Sequence, residues 1–255
     1  MSDDVVRIAM WSGPRNISTA MMRSFGQRPD TEVVDEPFYA AFLTATGIDH
    51  PLRDQTLAGM SSDWGEIAAA MSRAGRQNKP IFYQKQMCHH MVEGSDLGFM
   101  AACRNAFLIR PPAAVLASYI RSRAEVTIND IGVFRQWEMF QDEFDRLGRP
   151  PPVLDGDDLR TDPPAYLRAL CESLGVPYMD AMLSWPPGPR PTDGAWAPAW
   201  YASVESSRSF AERSRADPAP LPPAVQDIAD QAQPIYEQMA AWKLRPETPR
   251  NPPLS

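Results

Sequence analysis

Two polar turns in the sequence have residue types suited to binding an anion. The first follows the apolar run Val5–Met10 and opens the helix-like run Ile17–Phe25. It consists of Gly13, Pro14, Arg15, Asn16, Ile17, Ser18 and Thr19. Free N–H groups and the positive dipole end of a helix, together with an arginine fork, favour a phosphate-like group. The turn lacks the Gly-Lys-Ser/Thr ending of nucleoside triphosphatases, and the alternative is that Asn16 or Ser18 only caps the helix.

The second turn follows the strand-like run Asn105–Arg110. Ser118 lies eight residues after Arg110, and Arg121 and Arg123 come further on. The two prolines after Arg110 fit the first turn of a helix. Alone, such basic residues are typical of a solvated helix face. Because both turns follow strands, however, a parallel sheet would bring them to the edge where such sheets bind ligands.

Alternating strand-like and helix-like runs predict an α/β fold. We expect three α/β/α layers around a mostly parallel sheet of the P-loop nucleotide-binding type, with an irregular C-terminal flap and helix. The predicted strands are Val5–Met10, a short strand within Thr31–Phe38, Pro80–Lys85, Asn105–Arg110 and Pro152–Leu154. The predicted helices are Ile17–Phe25, Trp64–Gly75, Pro111–Arg123, about Gly132–Leu147, Pro163–Gly175 and about Pro223–Trp242.

The domain organisation is predicted to be a single unit over residues 1–255. Its core spans about residues 5–180, and a proline-rich flap with one helix spans about 181–245. A frayed tail is expected over 246–255. The helix that would border an acceptor cleft carries Phe134, Trp137 and Phe140, whose spacing fits core packing equally well.

Composition limits the classes of partner. The net charge is −7 and the sequence pI is about 5.0, which disfavours nucleic acid and anionic membrane surfaces. The N-terminus is acidic where a signal peptide is basic, and no run approaches the roughly 20 apolar residues of a membrane span. We therefore expect a cytoplasmic protein. Cys88, Cys103 and Cys171 lack metal-ligand spacing and are interpreted as buried free thiols, and no metal is expected.

The two turns together resemble those of sulfotransferases that use 3′-phosphoadenosine 5′-phosphosulfate (PAPS). Their first loop typically reads Pro-Arg/Lys-Ser-Gly-Thr-Ser/Thr, which Pro14–Thr19 matches with Asn16 and Ile17 as departures. Their second motif is a strand ending in arginine with a serine eight residues on, as at Arg110 and Ser118, although Pro111 replaces a frequent aspartate. The resemblance covers about residues 5–180. The stretches "EPFY" and "WYASVESSRSF" look most like a bacterial branch of the family.

The resemblance implies roles for these residues. The first loop, Gly13 to Thr19, would hold the 5′-phosphosulfate, and Arg110 with Ser118 would hold the 3′-phosphate. The flap covers the nucleotide in related folds, so Arg208 is a further candidate contact for the 3′-phosphate. Lys85 ends the third strand, where the family often has a lysine that stabilises charge on the leaving oxygen.

Two kinds of side chain are candidates for the base that activates the acceptor. Carbohydrate-modifying branches of the family use a glutamate where this chain has Glu36. The cytosolic branch uses a histidine two residues after the lysine, where this chain has Met87, but His89 and His90 lie just beyond. Either type can act once its pKa is tuned toward neutrality. We rank Glu36 first, His90 second and His89 third.

Three functions stay open from the sequence. The first is a sulfotransferase that moves a sulfuryl group from PAPS to a hydroxyl or amine of a small molecule by in-line displacement and releases adenosine 3′,5′-bisphosphate. The second is a P-loop kinase that depends on ATP and Mg²⁺. The third is a nucleotide-binding protein without turnover. A pyridoxal enzyme is disfavoured, because Lys85 lacks an accompanying phosphate cup. The acceptor and the oligomeric state, including a homodimer, are left open.

Overall fold

A five-stranded parallel sheet forms the centre of the computed structural model, which describes residues 5–73, 75, 77–123, 125–210 and 220–246. The strands are β1 Val6–Ser12, β2 Thr31–Asp35, β3 Ile81–Met87, β4 Arg104–Ile109 and β5 Val153–Asp155. Their order across the sheet is β2-β3-β1-β4-β5, and every neighbouring pair is parallel. The predicted α/β fold with a parallel sheet is confirmed, and the strand ends differ from the predicted ones by one or two residues.

Helices connect the strands and cover both faces of the sheet. They are α1 Ser18–Phe25, α2 Tyr39–Thr46, α3 Arg53–Gly59, α4 Trp64–Met71, α5 Pro112–Tyr119, α6 Ile128–Ile131, α7 Val133–Leu147, α8 Gly156–Leu159, α9 Pro163–Ser173, α10 Ala197–Trp200, α11 Ala202–Glu205 and α12 Pro223–Ala240. The sequence analysis did not predict α2 and α3. Both are short, and the apolar residues of α2 pack mainly on the flap rather than along a periodic stripe facing the sheet.

The two faces of the sheet pack against different helices, because side chains alternate along each strand. On one face Ile8 and Met10 pack with apolar residues of α1 and α9. On the other face Ala9 and Trp11 pack with apolar residues of α4, α7 and α12. Burial on both faces of β1 explains why this strand is continuously apolar from Ile8 to Trp11. The result is the predicted three-layer arrangement.

The strand order places a crevice at the carboxyl ends of the central strands. β1 lies between β3 and β4, so the chain passes over β1 on its way from β3 to β4. The connections on either side of β1 therefore diverge, and ligands of open α/β sheets bind at such a point. The first polar turn, Lys85 and Arg110 all lie at this edge.

The C-terminal part is more ordered than the irregular flap that the sequence predicts. It contains α10 and α11, and an antiparallel bridge joins Ser184 to Ser209. After α12, Lys243 forms a bridge with Val153. Apart from residue 246, the predicted frayed tail lies outside the described residues, and the single-domain organisation stays a prediction.

Two further sequence interpretations concern the cysteines and the membrane. Cys88, Cys103 and Cys171 are free and buried, which confirms their interpretation as buried thiols. Burial raises the pKa of each thiol. None of the helices in the described ranges is long and apolar enough to cross a membrane.

Candidate active site

A cavity of about 370 Å³ opens at the carboxyl ends of the strands. All of the residues predicted for the site line it except Gly13 and Arg208. The lining comes from the first polar turn, β2 and β3 ends, α5 and the flap. The cavity therefore brings together residues that are up to about three quarters of the chain apart.

The first turn has a backbone that exposes the N-terminus of α1. Arg15 and Ile17 have left-handed backbone conformations, with φ of 58° and 54°. No side chain caps α1, and the Asn16 amide instead donates to the Leu108 carbonyl at 3.1 Å. The alternative in which Asn16 or Ser18 serves as a helix cap is therefore not what the structure has. The first N–H groups of α1 stay available to an anion.

Gly13 has a packing role at the start of this turn. A Cβ atom at this position would lie 2.3 Å from the carbonyl oxygen of Ile131, at the end of α6. Only glycine permits this approach without a backbone shift. Gly13 therefore supports the shape of the turn, while the residues that follow it face the cavity.

Direct hydrogen bonds connect the two anion-suited turns. Arg15 Nε donates to Ser118 Oγ at 3.0 Å, and Arg110 Nη1 donates to the Arg15 carbonyl at 3.1 Å. Arg110 also pairs with Asp157, which contacts the lining residue Arg160 as well. Burial, together with the charges of Arg121 and Arg110, lowers the pKa of Arg15. The like charges around Arg15 would be relieved by a bound anion.

Lys85 occupies the centre of a buried polar network. Its Nζ atom donates to Asp35 at 2.9 Å, to Glu36 at 2.5 Å and to the Tyr201 hydroxyl at 2.5 Å. Burial alone would lower the pKa of Lys85, but attraction from Asp35 and Glu36 outweighs it and raises this pKa well above its usual value. Lys85 is therefore a cation whose position is fixed by two carboxylates.

Asp35 also anchors the flap to the sheet edge. The Tyr201 hydroxyl donates to Asp35, with O···O distances of 2.9 and 2.7 Å to its two oxygens, and the Gly194 N–H donates at 3.2 Å. Sequence reasoning missed this role of Asp35. A signal was available, because β2 and β3 are neighbours and Asp35 lies opposite Lys85 in their register. Asp35 and Tyr201 are 166 positions apart in the sequence, and no pattern near either residue predicted their contact.

Glu36 combines burial with a strained backbone. Burial raises its pKa, and the nearby Lys85 charge partly offsets this effect. Its φ is 40°, and its N–H donates to the Lys85 carbonyl at 3.0 Å. A non-glycine residue holds such a conformation only where the surroundings impose it, and such positions often occur at functional sites.

The histidine candidates lie in an aromatic wall next to Glu36. The His90 ring stacks on Tyr39 and Phe42, with centroid distances of 4.7 and 4.8 Å. Its Nε2 atom is 3.9 Å from Glu36 Oε2, which is too long for a hydrogen bond. Burial lowers the pKa of His90 well below its usual value and lowers the pKa of His89 to about 3, so both rings are neutral. Either ring could take up a proton only at a high cost.

Two groups of residues lie elsewhere than the sequence analysis suggested. Arg208 is exposed and outside the cavity lining, and its backbone carbonyl accepts from the Trp185 N–H. Phe134 is 41% exposed, whereas Phe140 is buried in the core beneath the sheet with Trp137 stacked on it. None of these three aromatic residues lines the cavity. The spacing of Trp137 and Phe140 therefore reflects packing of α7 on the sheet, one of the two alternatives that the sequence allowed.

Comparison with known proteins identifies the family. The model of the sulfotransferase domain matches residues 6–243, and the chain belongs to this family. It is 38% identical over 229 residues to the "Branched-chain-amino-acid aminotransferase-like protein 1" of Arabidopsis thaliana. That match covers 90% of this chain but 40% of the plant protein. The chain thus spans less than half of that relative, and most of the protein that bears the aminotransferase-like name lies outside the match.

Solved structures show the same fold. A sulfotransferase from Alicyclobacillus acidocaldarius has a TM-score of 0.57 at 11% identity, covering 94% of this chain and 97% of its own. The sulfotransferase domain of the Synechococcus PCC 7002 olefin synthase has a TM-score of 0.53 at 17% identity, covering 93% and 95%. At these identities the likeness concerns the architecture alone.

Proposed function

We propose that this chain is a cytoplasmic enzyme that uses PAPS to sulfate a hydroxyl or amine of a small molecule. The main support is the contact between the two anion-suited turns, which are about a hundred residues apart in the sequence. Arg15, Ser118 and Arg110 meet there in one cavity that also contains Lys85 and Glu36. Family membership supports the sulfotransferase class, and the cavity supports the choice of donor.

The residues of the cavity fit the two anionic ends of this donor. The uncapped N-terminus of α1, the hydroxyls of Ser18 and Thr19, and Arg15 are suited to the 5′-phosphosulfate. Arg110 and Ser118 are suited to the 3′-phosphate, which ATP lacks. When bound, the donor supplies an activated sulfuryl group with a phosphate oxygen as its leaving atom. In this proposal the contacts among Arg15, Arg110 and Ser118 hold these side chains in place for binding.

Lys85 is the cation placed to stabilise charge that develops on the leaving oxygen. Asp35 and Glu36 keep it protonated, and Asp35 together with Tyr201 fixes the position of its Nζ atom. A preorganised cation in a buried site costs little reorganisation during the reaction, and such groups contribute roughly 10²–10³ in rate. Asp35 and Tyr201 are positioning residues in this scheme.

Glu36 is the best of the three base candidates. A carboxylate whose pKa is raised by burial accepts a proton from the acceptor more readily than an exposed one. The strongly lowered pKa values of His90 and His89 disfavour them as the group that takes up the proton. His90 remains next in rank, because its Nε2 atom is 3.9 Å from Glu36 and a small movement would join them.

The donor is tested by calorimetric titration of the purified protein with adenosine 3′,5′-bisphosphate, with ATP and Mg²⁺ as the comparison. Binding of the bisphosphate without binding of ATP is the expected result. Binding of ATP with Mg²⁺ alone would favour the kinase alternative. Tight bisphosphate binding without transfer to any acceptor in a broad screen would favour the alternative without turnover.

The base is tested by two variants once an acceptor is identified. Glu36→Gln is expected to abolish turnover while leaving bisphosphate affinity intact, and His90→Ala is expected to retain measurable turnover. Loss of turnover in His90→Ala alone, with normal bisphosphate binding, would transfer the role to His90. Full activity in both variants would refute both assignments.

The aminotransferase-like name of the plant relative has no counterpart in the described part of this chain. A pyridoxal enzyme needs a lysine that can form a Schiff base. Lys85 is the lysine in the cavity, and two carboxylates hold it as a strongly protonated cation. We therefore do not extend that name to this chain.

A further inference from the structure

Besides His89 Nδ1, the cavity wall contains two buried nitrogen atoms that have no hydrogen-bond partner among the described residues. One is Nε2 of His50, a residue that is 8% exposed. The other is Nη1 of Arg123, which follows α5. Both residues line the cavity. A buried polar atom without a partner is costly, so such atoms at a cavity point to a ligand that satisfies them.

The protonation of His50 follows from its neighbour Tyr39. The Tyr39 hydroxyl is buried and lies 2.7 Å from His50 Nδ1. A buried hydroxyl proton needs an acceptor, and His50 Nδ1 provides one. Burial and then the charge of Arg123 lower the pKa of His50 to about 4, so the ring is neutral and its proton is on Nε2. The unpartnered Nε2 atom is therefore a donor.

Arg123 presents a second donor, because a guanidinium cannot accept hydrogen bonds. Two other cations of the cavity wall have carboxylate partners: Lys85 pairs with Asp35 and Glu36, and Arg110 with Asp157. No ion pair of Arg123 is found within the described ranges. Asp130, whose charge also reaches His50, already accepts from Thr127. The two donors thus lack a negatively charged oxygen to bind.

The position of this pair relates it to the acceptor rather than the donor. The Tyr39 ring that hydrogen-bonds to His50 also stacks on His90, with an interplanar angle of 8°. His90 in turn lies beside Glu36. One aromatic ring therefore separates His50 from the base candidates, while the cations suited to the donor are Arg15 and Arg110.

We propose that His50 and Arg123 form a subsite for an anionic group of the acceptor. The acceptor would then be a hydroxy or amino compound that also carries a carboxylate, sulfate or phosphate. This inference rests on the proposed function, because it takes the cavity to hold the acceptor beside the donor. It narrows the acceptor class, which the sequence left open.

Acetate is a suitable probe, because it is small enough to reach the subsite without the rest of an acceptor. Ligand-observed NMR would follow acetate, with acetamide as the neutral comparison, at constant ionic strength and with the protein saturated by adenosine 3′,5′-bisphosphate. We expect saturable binding of acetate and none of acetamide. In Arg123→Gln the affinity for acetate should fall by about tenfold or more, as for a lost charge-assisted contact.

Matched variants separate a direct contact from a general charge effect. Arg121→Gln removes the same charge from an exposed cavity residue and should change the acetate affinity by less than about threefold. His50→Phe keeps an aromatic ring but removes the donor and should weaken acetate binding severalfold. If Arg123→Gln fails to fold, Arg123→Lys, which retains the charge, should bind acetate within about tenfold of the wild type.

Several results would overturn the subsite. These are the absence of saturable acetate binding, equal binding of acetate and acetamide, or an equal loss in Arg121→Gln and Arg123→Gln. Failure of the bisphosphate to bind counts instead against the proposed donor. The same acetate comparison is then made with the bisphosphate omitted, and the contrast between Arg123→Gln and the wild type still decides the subsite.

Discussion

The two ends of the cavity neutralise their positive charges in different ways. At the proposed donor end, Arg15 donates a hydrogen bond to the Ser118 hydroxyl and lies near other arginines, so an incoming anion would relieve the repulsion among these charges. The other end is called the flap end, because Lys85 there contacts Tyr201 of the flap. Lys85 is already neutralised by Asp35 and Glu36. The difference indicates that the turn around Arg15 is arranged to receive an anion, whereas the network around Lys85 is arranged to hold its own cation in place.

The largest expected effect concerns the Lys85 network at the flap end. Lys85→Met leaves Asp35 and Glu36 buried without their cation, which typically costs about 3–5 kcal/mol of unfolding free energy. Urea unfolding measures this loss. Lys243→Met is the matched control, because its pair with Asp158 is partly exposed and is worth at most about 1 kcal/mol. Equal losses in the two variants would contradict the central role of the Lys85 network.

A double variant sharpens the same point. Adding Glu36→Gln to Lys85→Met removes one of the two uncompensated carboxylates, so part of the lost stability should return. A double variant that is less stable than Lys85→Met would mean that Glu36 contributes through contacts other than its pairing with Lys85.

The next effect tests the donor end. Arg110→Ala should weaken binding of adenosine 3′,5′-bisphosphate by about 1.5–3 kcal/mol, or roughly 10- to 150-fold, because a charge-assisted contact is lost. Calorimetric titration measures the change. Arg208→Ala provides the contrast, because Arg208 is exposed outside the cavity and should leave the affinity unchanged. A comparable loss in Arg208→Ala would support the contact that the sequence resemblance implied.

The two ends also differ in how far the sequence predicts them. The first turn and the Arg110–Ser118 pair are local patterns, in which a strand, a loop and a helix follow one another within a few residues. These patterns were sufficient to predict the fold and, apart from Gly13, the residues of the two turns that line the cavity. Gly13 was assigned to binding, but its packing against Ile131 depends on a contact that only the folded chain creates.

The flap end depends on pairs that are distant in the sequence. His50 had no motif around it, and Tyr201 reaches Asp35 across more than half of the chain. Phe134 and Phe140 show the opposite case, in which helical spacing gave two interpretations that the sequence could not separate. Sequence patterns report local geometry well, whereas the partners of a buried charge follow from tertiary packing.

Acid titration should lower the stability of the protein through its histidines, all three of which line the cavity. The pKa of His50 is lowered to about 4 and that of His89 to about 3, chiefly by burial. Histidine in the unfolded chain has a pKa of about 6.5. The unfolding free energy that His50 and His89 contribute is therefore fully present above pH 6.5 and is lost as the pH falls toward 4. We expect roughly 1–2 kcal/mol of lost stability per histidine between pH 7 and pH 5.

Urea unfolding at the two pH values measures this effect, with variants as the control. His50→Phe should flatten the pH dependence, because it removes one of the histidines whose pKa is lowered in the folded protein. An identical slope in His50→Phe and the wild type would mean that His50 titrates normally in the folded protein, and the donor assigned to its Nε2 atom would then need revision.

The smallest effect tests how firmly the flap is held. Tyr201→Phe removes the hydroxyl that Asp35 accepts, but Lys85 and the Gly194 N–H remain as partners of Asp35, so no buried carboxylate is left alone. The expected loss is therefore only about 0.5–1.5 kcal/mol, measured by urea unfolding. Tyr83→Phe is the matched control, because its buried hydroxyl has no partner among the described residues and its removal should cost nothing. If Tyr201→Phe is as harmless as Tyr83→Phe, the Tyr201 hydroxyl does not hold the flap, which is then held at this edge by the Gly194 N–H bond to Asp35 and by apolar packing.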